Sequence, residues 1–82
     1  MNVKSETNQV EYGVVLFHSV SHALRAERIA MRARLKVKLI PVPRQFSSNC
    51  GTALRFYWAD GAAIRQALEE ARVEIEAIHR LE

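Results

Sequence analysis

The residues best suited to chemistry lie in one short segment, Pro41-Val42-Pro43-Arg44-Gln45-Phe46-Ser47-Ser48-Asn49-Cys50-Gly51. This segment holds both prolines of the chain, a Ser-Ser-Asn turn cluster and the only cysteine. Because proline fixes φ and lacks an amide donor, the segment cannot form a helix, and we expect a strand end that opens into a loop. Cys50 then lies beside Gly51 on a polar loop, where its thiol can reach solvent and act as a nucleophile. A cysteine that serves only in packing usually has apolar neighbours instead.

Three segments around this loop have the composition of β-strands. Residues 12–18, 37–42 and 52–59 are rich in β-branched and aromatic side chains and are bounded by turn residues. The prolines place the second strand at an edge of its sheet, since proline cannot donate to a central ladder. Alternation along the third strand predicts that one face carries Leu54, Phe56 and Trp58.

Apolar residues at helical spacing predict two helices. The first spans about residues 20–35, with Ser19 or Ser21 as its N-cap, and the second begins at Asp60 and continues to Ile78. On the first helix, the predicted packing side consists of Val20, Ala23, Leu24, Ala30 and Met31.

The order of elements is therefore β-α-β-β-α, which predicts an α+β domain. We expect a two-layer sandwich with a three-stranded mixed sheet and both helices on one face. The first β-α-β unit should be a right-handed crossover with parallel strands, and the third strand should return antiparallel. The arrangement predicts a truncated ferredoxin-like fold that lacks its last strand. The first strand is apolar on both faces, so pairing with a second copy would cover the open face, and a homodimer is expected.

Length and composition bound the class of protein. A chain of 82 residues with 49% hydrophobic residues forms one small domain, here residues 11–82 after a flexible tail of residues 1–10. The longest apolar run is far too short to span a bilayer, and the N-terminus lacks the apolar core of a signal peptide. A cytoplasmic protein without membrane association is the resulting expectation. One cysteine excludes an internal disulfide and a Cys-rich zinc site within one chain.

The net charge of +3 is unevenly distributed. A basic ridge on the first predicted helix consists of Arg25, Arg28 and Arg32, whereas acidic residues are concentrated toward the C-terminus. Such a ridge suits an acidic protein surface, and it equally suits a solvated helix face with no partner. Nucleic acid is an unlikely partner, because no aromatic RNA-binding signature accompanies the ridge.

The predicted topology brings several polar residues toward Cys50. Parallel first and second strands end at the same edge of the sheet, so the loop of Cys50 and Arg44 faces the helix start that carries Ser19 and His22. A helix N-terminus and an arginine both favour a thiolate over a thiol. The serine turn and its backbone amides would form an anion-binding concavity beside the sulfur. The predicted supporting residues are Arg44, Ser47, Ser48, Gly51, Ser19 and His22. The sequence leaves open whether His18, His22 or His79 contacts the thiol.

These motifs resemble those of a known family, the selenium/sulfur carrier protein-like domains. The matching parts are Phe17-His18-Ser19, then Leu39-Ile40-Pro41-Val42-Pro43-Arg44, then Ser47-Ser48-Asn49-Cys50-Gly51, then Ala53-Leu54-Arg55. The resemblance covers about residues 12–78. It implies a protein that carries sulfur or selenium as a persulfide or selenopersulfide, and this role would fall on Cys50. It also implies a donor, such as a cysteine desulfurase, and an acceptor protein.

The chemistry of a persulfide carrier agrees with the residues present. It requires one accessible thiol, and it requires no metal, no cofactor and no second cysteine. A nearby resolving cysteine would discharge the persulfide as a disulfide, so a single cysteine fits a carrier better than a thioredoxin-type oxidoreductase.

Two other functions remain open at this point. One is a small basic interaction or regulatory module, in which Arg25, Arg28 and Arg32 bind the partner and Cys50 is incidental. The other is a cysteine-dependent transferase with its own turnover, for which so small a chain lacks a deep pocket unless a dimer interface forms one. The sequence favours a carrier over an independent enzyme, and it does not distinguish sulfur from selenium.

Overall fold

The computed structural model describes residues 10–47 and 50–82 as an α+β domain with one four-stranded sheet. The remaining residues, 1–9, Ser48 and Asn49, lie outside the described part of the chain, and with them most of the predicted tail and one predicted site serine. The elements in chain order are β1 (Tyr12–Leu16), α1 (Val20–Arg32), β2 (Val37–Pro41), β3 (Thr52–Tyr57), a 3-10 turn (Trp58–Asp60), α2 (Gly61–Glu70) and β4 (Ala77–Arg80).

The fourth strand corrects the predicted three-stranded sheet and the predicted long second helix. Helix α2 ends at Glu70 because Arg72 adopts a left-handed φ of 58°. The amide of Val73 then donates to the carbonyl of Leu68 at 2.9 Å, which is the hydrogen bond of a Schellman cap. The apolar spacing that suggested a continuing helix belongs instead to a turn followed by β4.

The predicted mixed sheet is also wrong, because β3 lies between β1 and β2. The strand order is β2-β3-β1-β4, and every neighbouring pair is antiparallel. Strands β1 and β2 do run in the same direction, as expected, but each pairs with β3: Leu54 faces both Val15 and Leu39 in register. The predicted edge position of β2 is confirmed, and its proline, Pro41, is the last residue of the strand.

Both helices pack on one face of the sheet, as predicted, and form the helix-side core with it. This core joins β1 and β3 to the two helices through residues that are at most 6% exposed. Its buried members are Val15, Phe17, Ala23, Ala26, Ala30, Leu54, Phe56, Ile64, Leu68 and Val73. Asp60 precedes α2 at the N-cap position, but its side chain makes no capping hydrogen bond, contrary to the prediction.

The packing side of α1 matches the predicted one only at Ala23 and Ala30. Its buried residues are Ala23, Ala26 and Ala30, whose small side chains let the helix lie close to the sheet. The larger apolar residues share a different stripe, roughly a quarter turn away, and are exposed to solvent. Their exposed fractions are 45% for Val20, 41% for Leu24 and 60% for Met31.

The opposite face of the sheet has a smaller core of its own. Val14, Leu16 and Ala53 are buried there within one chain. They lie under partly buried residues of β2, the following loop, β4 and the chain end, namely Ile40, Val42, Phe46, Ala77 and Leu81. The open apolar face that suggested a homodimer is therefore covered, and the sequence argument for that dimer no longer holds.

Candidate site around Cys50

The loop that carries Cys50 is the connection of the β2–β3 hairpin. The amide of Val42 donates to the carbonyl of Gly51 at 3.2 Å, which extends the hairpin by one step beyond the strands. Gly51 has a φ of +77°, a left-handed value that other residues rarely adopt. A Cβ atom built on Gly51 would meet nothing within 4 Å, so the glycine is required for its backbone conformation and not for space.

The thiol of Cys50 is half-buried, which is less exposed than the polar sequence of its loop suggests. The side chain packs against the helix-side core. Its Sγ atom lies 3.3 Å from the carbonyl oxygen of Thr52, to which the S–H group donates. Because only a protonated thiol can donate, forming the nucleophilic thiolate requires release of this contact.

The start of α1 forms a compact polar cluster. Ser19 is the N-cap, as predicted: its Oγ accepts from the amide of His22 at 3.3 Å. The same oxygen lies 2.8 Å from Nδ1 of His22 and 3.0 Å from Oγ of Ser21. The first turn of α1 carries no acidic residue, so no side chain within that turn neutralises the positive end of the helix dipole.

The register of the sheet places this cluster and Cys50 at the same end of the molecule. Leu16, the last residue of β1, pairs with Ala53, and Pro41, the last residue of β2, pairs with Thr52. Ser19 follows β1 and Cys50 precedes β3 beyond that end, on the side of the sheet that α1 covers. The two segments thus lie at the same end of the sheet, and the described hydrogen bonds of His22 go to Ser19.

The other predicted supporting residues are spread along the loop and beyond it. Arg44 and Ser47 are exposed, and Arg44 forms no ion pair with the described residues. His18 is exposed, whereas His79 stacks on Phe46, with ring centroids 4.3 Å apart and planes 12° apart. His79 therefore meets the cysteine loop through Phe46, on the face opposite the helices.

Arg80, which follows His79, has its contacts at the other end of the sheet. Its guanidinium pairs with the carboxylate of Glu11 and lies 5.9 Å from the centroid of the Trp58 ring. Both partners lie toward the other end of the sheet, since Glu11 precedes β1 and Trp58 follows β3.

The basic ridge of α1 is partly structural. Arg25 donates from Nη2 to the carbonyl oxygen of Ala71 at 2.9 Å, where α2 ends and a cation is favourable. Arg28 and Arg32 are exposed, and they line a shallow cavity of about 210 Å³ with Arg25, Ile29 and Ala71. Two of the three arginines are thus free to meet a partner.

Within the described ranges, no group of three or more His, Cys, Asp or Glu residues could hold a metal ion. Among the helices described, none is both long and apolar enough to cross a membrane.

Two residues that contribute to the site escaped the sequence analysis. Thr52 contacts the thiol through its backbone carbonyl, and Phe46 fixes the loop to the sheet. A backbone acceptor gives no signal in a sequence. Phe46 did give one, because a single aromatic residue in a polar loop indicates an anchor against apolar surface.

The sequence matches a protein family described as "Putative Se/S carrier protein-like" over residues 12–80. The chain belongs to this family. The match to the Se/S carrier-like family runs from the first residue of β1 to the last residue of β4, and it includes the cysteine loop. No curated protein and no solved structure matches the chain significantly. The resemblance found in the sequence motifs is therefore confirmed at the level of the family.

Proposed function

We propose that this protein carries sulfur or selenium, and that Cys50 holds the atom as a persulfide or selenopersulfide. The observation that carries the proposal is the family match across the whole hairpin that presents the only cysteine of the chain. A carrier of this kind needs one nucleophilic sulfur, so no other residue offers the same chemistry.

The transfer steps need no outside oxidant or reductant. The Cys50 thiolate attacks the outer sulfur of a persulfide on the donor protein, forms the new S–S bond and releases the donor cysteine as a thiolate. In the second step a nucleophile of the acceptor attacks the outer sulfur on Cys50, and the Cys50 thiolate leaves. Selenium follows the same two displacements as the outer atom of a selenopersulfide.

Three features of the site support this chemistry. Half-burial of Cys50 would shield a persulfide from stray thiols while leaving it partly accessible. The sulfur lies at the same end of the sheet as the N-terminus of α1, whose first turn lacks acidic residues and so favours a nearby anion. Gly51 lets the backbone turn directly after the cysteine.

The partners in this proposal are a sulfur or selenium donor, such as a cysteine desulfurase, and an acceptor protein in the cytoplasm. The exposed loop residues Arg44 and Ser47, together with Ser19 and His22, would frame the approach to Cys50. We also assign the domain a ferredoxin-like arrangement, on the basis of its β-α-β-β-α-β element order.

The second candidate function is a protein-interaction module that uses the exposed face of α1. The observation in its favour is the pairing of exposed Arg28 and Arg32 with the apolar stripe of Val20, Leu24 and Met31. A surface with cations beside exposed apolar residues suits an acidic, partly apolar partner. Under this function Cys50 has no role in binding.

The test is to incubate the protein with a cysteine desulfurase and cysteine, and to measure its intact mass. We expect a gain of one sulfur mass that dithiothreitol removes and that Cys50→Ser abolishes. The control is that the desulfurase releases sulfur from cysteine when dithiothreitol is the acceptor. If the desulfurase is active in this control and the wild-type protein gains no mass, the interaction module is the better function.

A paired comparison tests the contribution of Arg44. If Arg44 acts on Cys50 as proposed, Arg44→Gln should slow alkylation of native Cys50 by iodoacetamide a few-fold, because a cation near the thiolate is then lost. Arg28→Gln removes the same charge from the middle of α1 and should leave the alkylation rate unchanged. If both variants slow alkylation equally, the effect comes from net charge, and Arg44 has no specific role at Cys50.

A further inference from the structure

The sheet face opposite the helices ends in a group of aromatic and cationic side chains. Side chains alternate along a strand, and Val15 and Phe56 enter the helix-side core, so residues of the other parity face away from the helices. At the end of the sheet far from Cys50, that face carries the tyrosine platform, defined as Tyr12 of β1, Arg55 and Tyr57 of β3, and Lys38 of β2.

The platform is a stack of flat groups. Tyr12 and Tyr57 are direct partners across β1 and β3, with ring centroids 5.4 Å apart and planes 25° apart. The guanidinium carbon of Arg55 lies 4.2 Å from the centroid of the Tyr12 ring. Tyr57 is 37% exposed, and its stacking with Tyr12 presents an aromatic surface to solvent.

The charge on this face has one sign. Among the described strand residues that point away from the helices, none is acidic, and Lys38 pairs with Arg55 in register. Lys36, just before β2, lines a concavity of about 70 Å³ together with Tyr12, Arg55 and Tyr57. Three cations therefore border two stacked tyrosines.

We propose that the tyrosine platform binds single-stranded nucleic acid. Unpaired bases stack on exposed aromatic rings and on arginine planes, and neighbouring lysines pair with phosphates. A four-stranded sheet with aromatics on adjacent central strands is a known platform for such stacking. The proposal is independent of the carrier function, because the platform and Cys50 lie at opposite ends of the sheet.

The sequence argues against nucleic acid because no aromatic residue accompanies the arginines of the α1 ridge. The tyrosine platform is a different surface, and it supplies the aromatic residues that the ridge lacks. Tyr12 and Tyr57 are far apart in the sequence, and only the pairing of β1 with β3 brings them together. Contacts to bases and phosphates do not involve the 2′-hydroxyl, so RNA and DNA strands should bind with similar affinity.

The binding test uses a short fluorescein-labelled oligonucleotide of mixed sequence, as single-stranded RNA, single-stranded DNA and duplex DNA, with anisotropy as the readout. Both single strands should bind at least about tenfold more tightly than the duplex, whose bases are not free to stack. The logarithm of the association constant should fall with the logarithm of salt concentration with a slope of about −1.4, for phosphate contacts by Lys36 and Lys38.

Matched variants locate the site. Tyr57→Leu keeps apolar bulk and should weaken binding about tenfold, whereas Tyr57→Phe should retain it, because stacking needs only the ring. Arg55→Gln should weaken binding several-fold more than Arg28→Gln, which removes the same charge from α1 on the other side of the molecule. Circular dichroism of each variant establishes that it is folded.

Three results would overturn the proposal. They are no binding at low salt, duplex binding as tight as single-strand binding, and equal losses in Arg55→Gln and Arg28→Gln. The last result would show attraction to net charge alone. Cys50→Ser should bind the oligonucleotide as tightly as the wild type. Loss of oligonucleotide binding and loss of sulfur transfer can therefore be distinguished.

Discussion

The two faces of the sheet are covered by different means. Ten buried residues from the strands, the helices and their connecting segments close the helix-side face, whereas three buried residues on the other face lie under partly buried residues of β2, the following loop, β4 and the C-terminal end. The first face is a continuous core built by whole elements. The second depends on Phe46, a half-buried residue of the same loop that presents Cys50. The Cys50 loop therefore contacts both faces: the Cys50 side chain packs against the helix-side core, and Phe46 anchors the loop to the other face.

The largest effect should follow from a truncation on the helix-side face. Leu68 is 1% exposed and joins α2 to the sheet, so Leu68→Ala should lower the free energy of unfolding by about 2–5 kcal/mol. Urea denaturation measures the loss. Arg65→Ala, an exposed change on the same helix, should stay within about 0.5 kcal/mol. A loss below about 1 kcal/mol for Leu68→Ala would mean that α2 is not docked as described.

A truncation on the other face should lower the free energy of unfolding by less, and it should also change the reactivity of Cys50. Phe46→Ala removes the ring that stacks on His79 and covers Val14 and Leu16. Because Phe46 is half-buried, we expect a loss of about 1–3 kcal/mol, below the range for fully buried aromatics. The variant should also change the rate of Cys50 alkylation, since the loop loses its anchor. An unchanged rate together with unchanged stability would show that the loop does not act as a cover.

The smallest effects should separate backbone conformation from packing. Gly51→Ala should destabilise the protein by about 1 kcal/mol, because alanine is strained at a φ of +77° although space is free. Gly61→Ala should stabilise it by about 0.5 kcal/mol, because Gly61 has a helical φ of −55° and a new Cβ meets only an ordinary 3.9 Å contact with Phe56. Thermal unfolding compares the two. If Gly51→Ala stabilises the protein, glycine is not required at position 51 for its backbone conformation.

The sequence predicted most of the fold, and its failures have specific physical causes. The first three strands, the start of α1 and the Ser19 cap follow from local composition and were found. Strand β4 was missed because the left-handed position that ends α2 is occupied by Arg72, whereas glycine is the usual signal there. Helix α1 also ends before a left-handed arginine, Arg34, whose φ is 63°. The packing side of α1 was predicted only in part, at Ala23 and Ala30, because the larger Val20 and Leu24 give a stronger hydrophobic signal than the alanines.

The candidate site was predictable where it depends on strand direction. The common end of β1 and β2 brings the Ser19 cap and the Cys50 loop to one end of the sheet, as the crossover implied. The stacking of Phe46 on His79 depends on β4, and the contact of Cys50 with Thr52 depends on the hairpin geometry. Neither can be inferred from residue types and spacing alone.

The central claim is that Cys50 receives an outer sulfur atom and passes that same atom on. The most direct test loads the protein with a desulfurase and cysteine whose sulfur atom is a heavy isotope. After removal of the donor, cyanide is added, which takes the outer sulfur of a persulfide as thiocyanate. We predict thiocyanate that carries the heavy isotope, a protein restored to its original mass, and neither result in Cys50→Ser. Unlabelled thiocyanate, or a loaded protein that retains the added mass after cyanide treatment, would contradict the carrier role of Cys50.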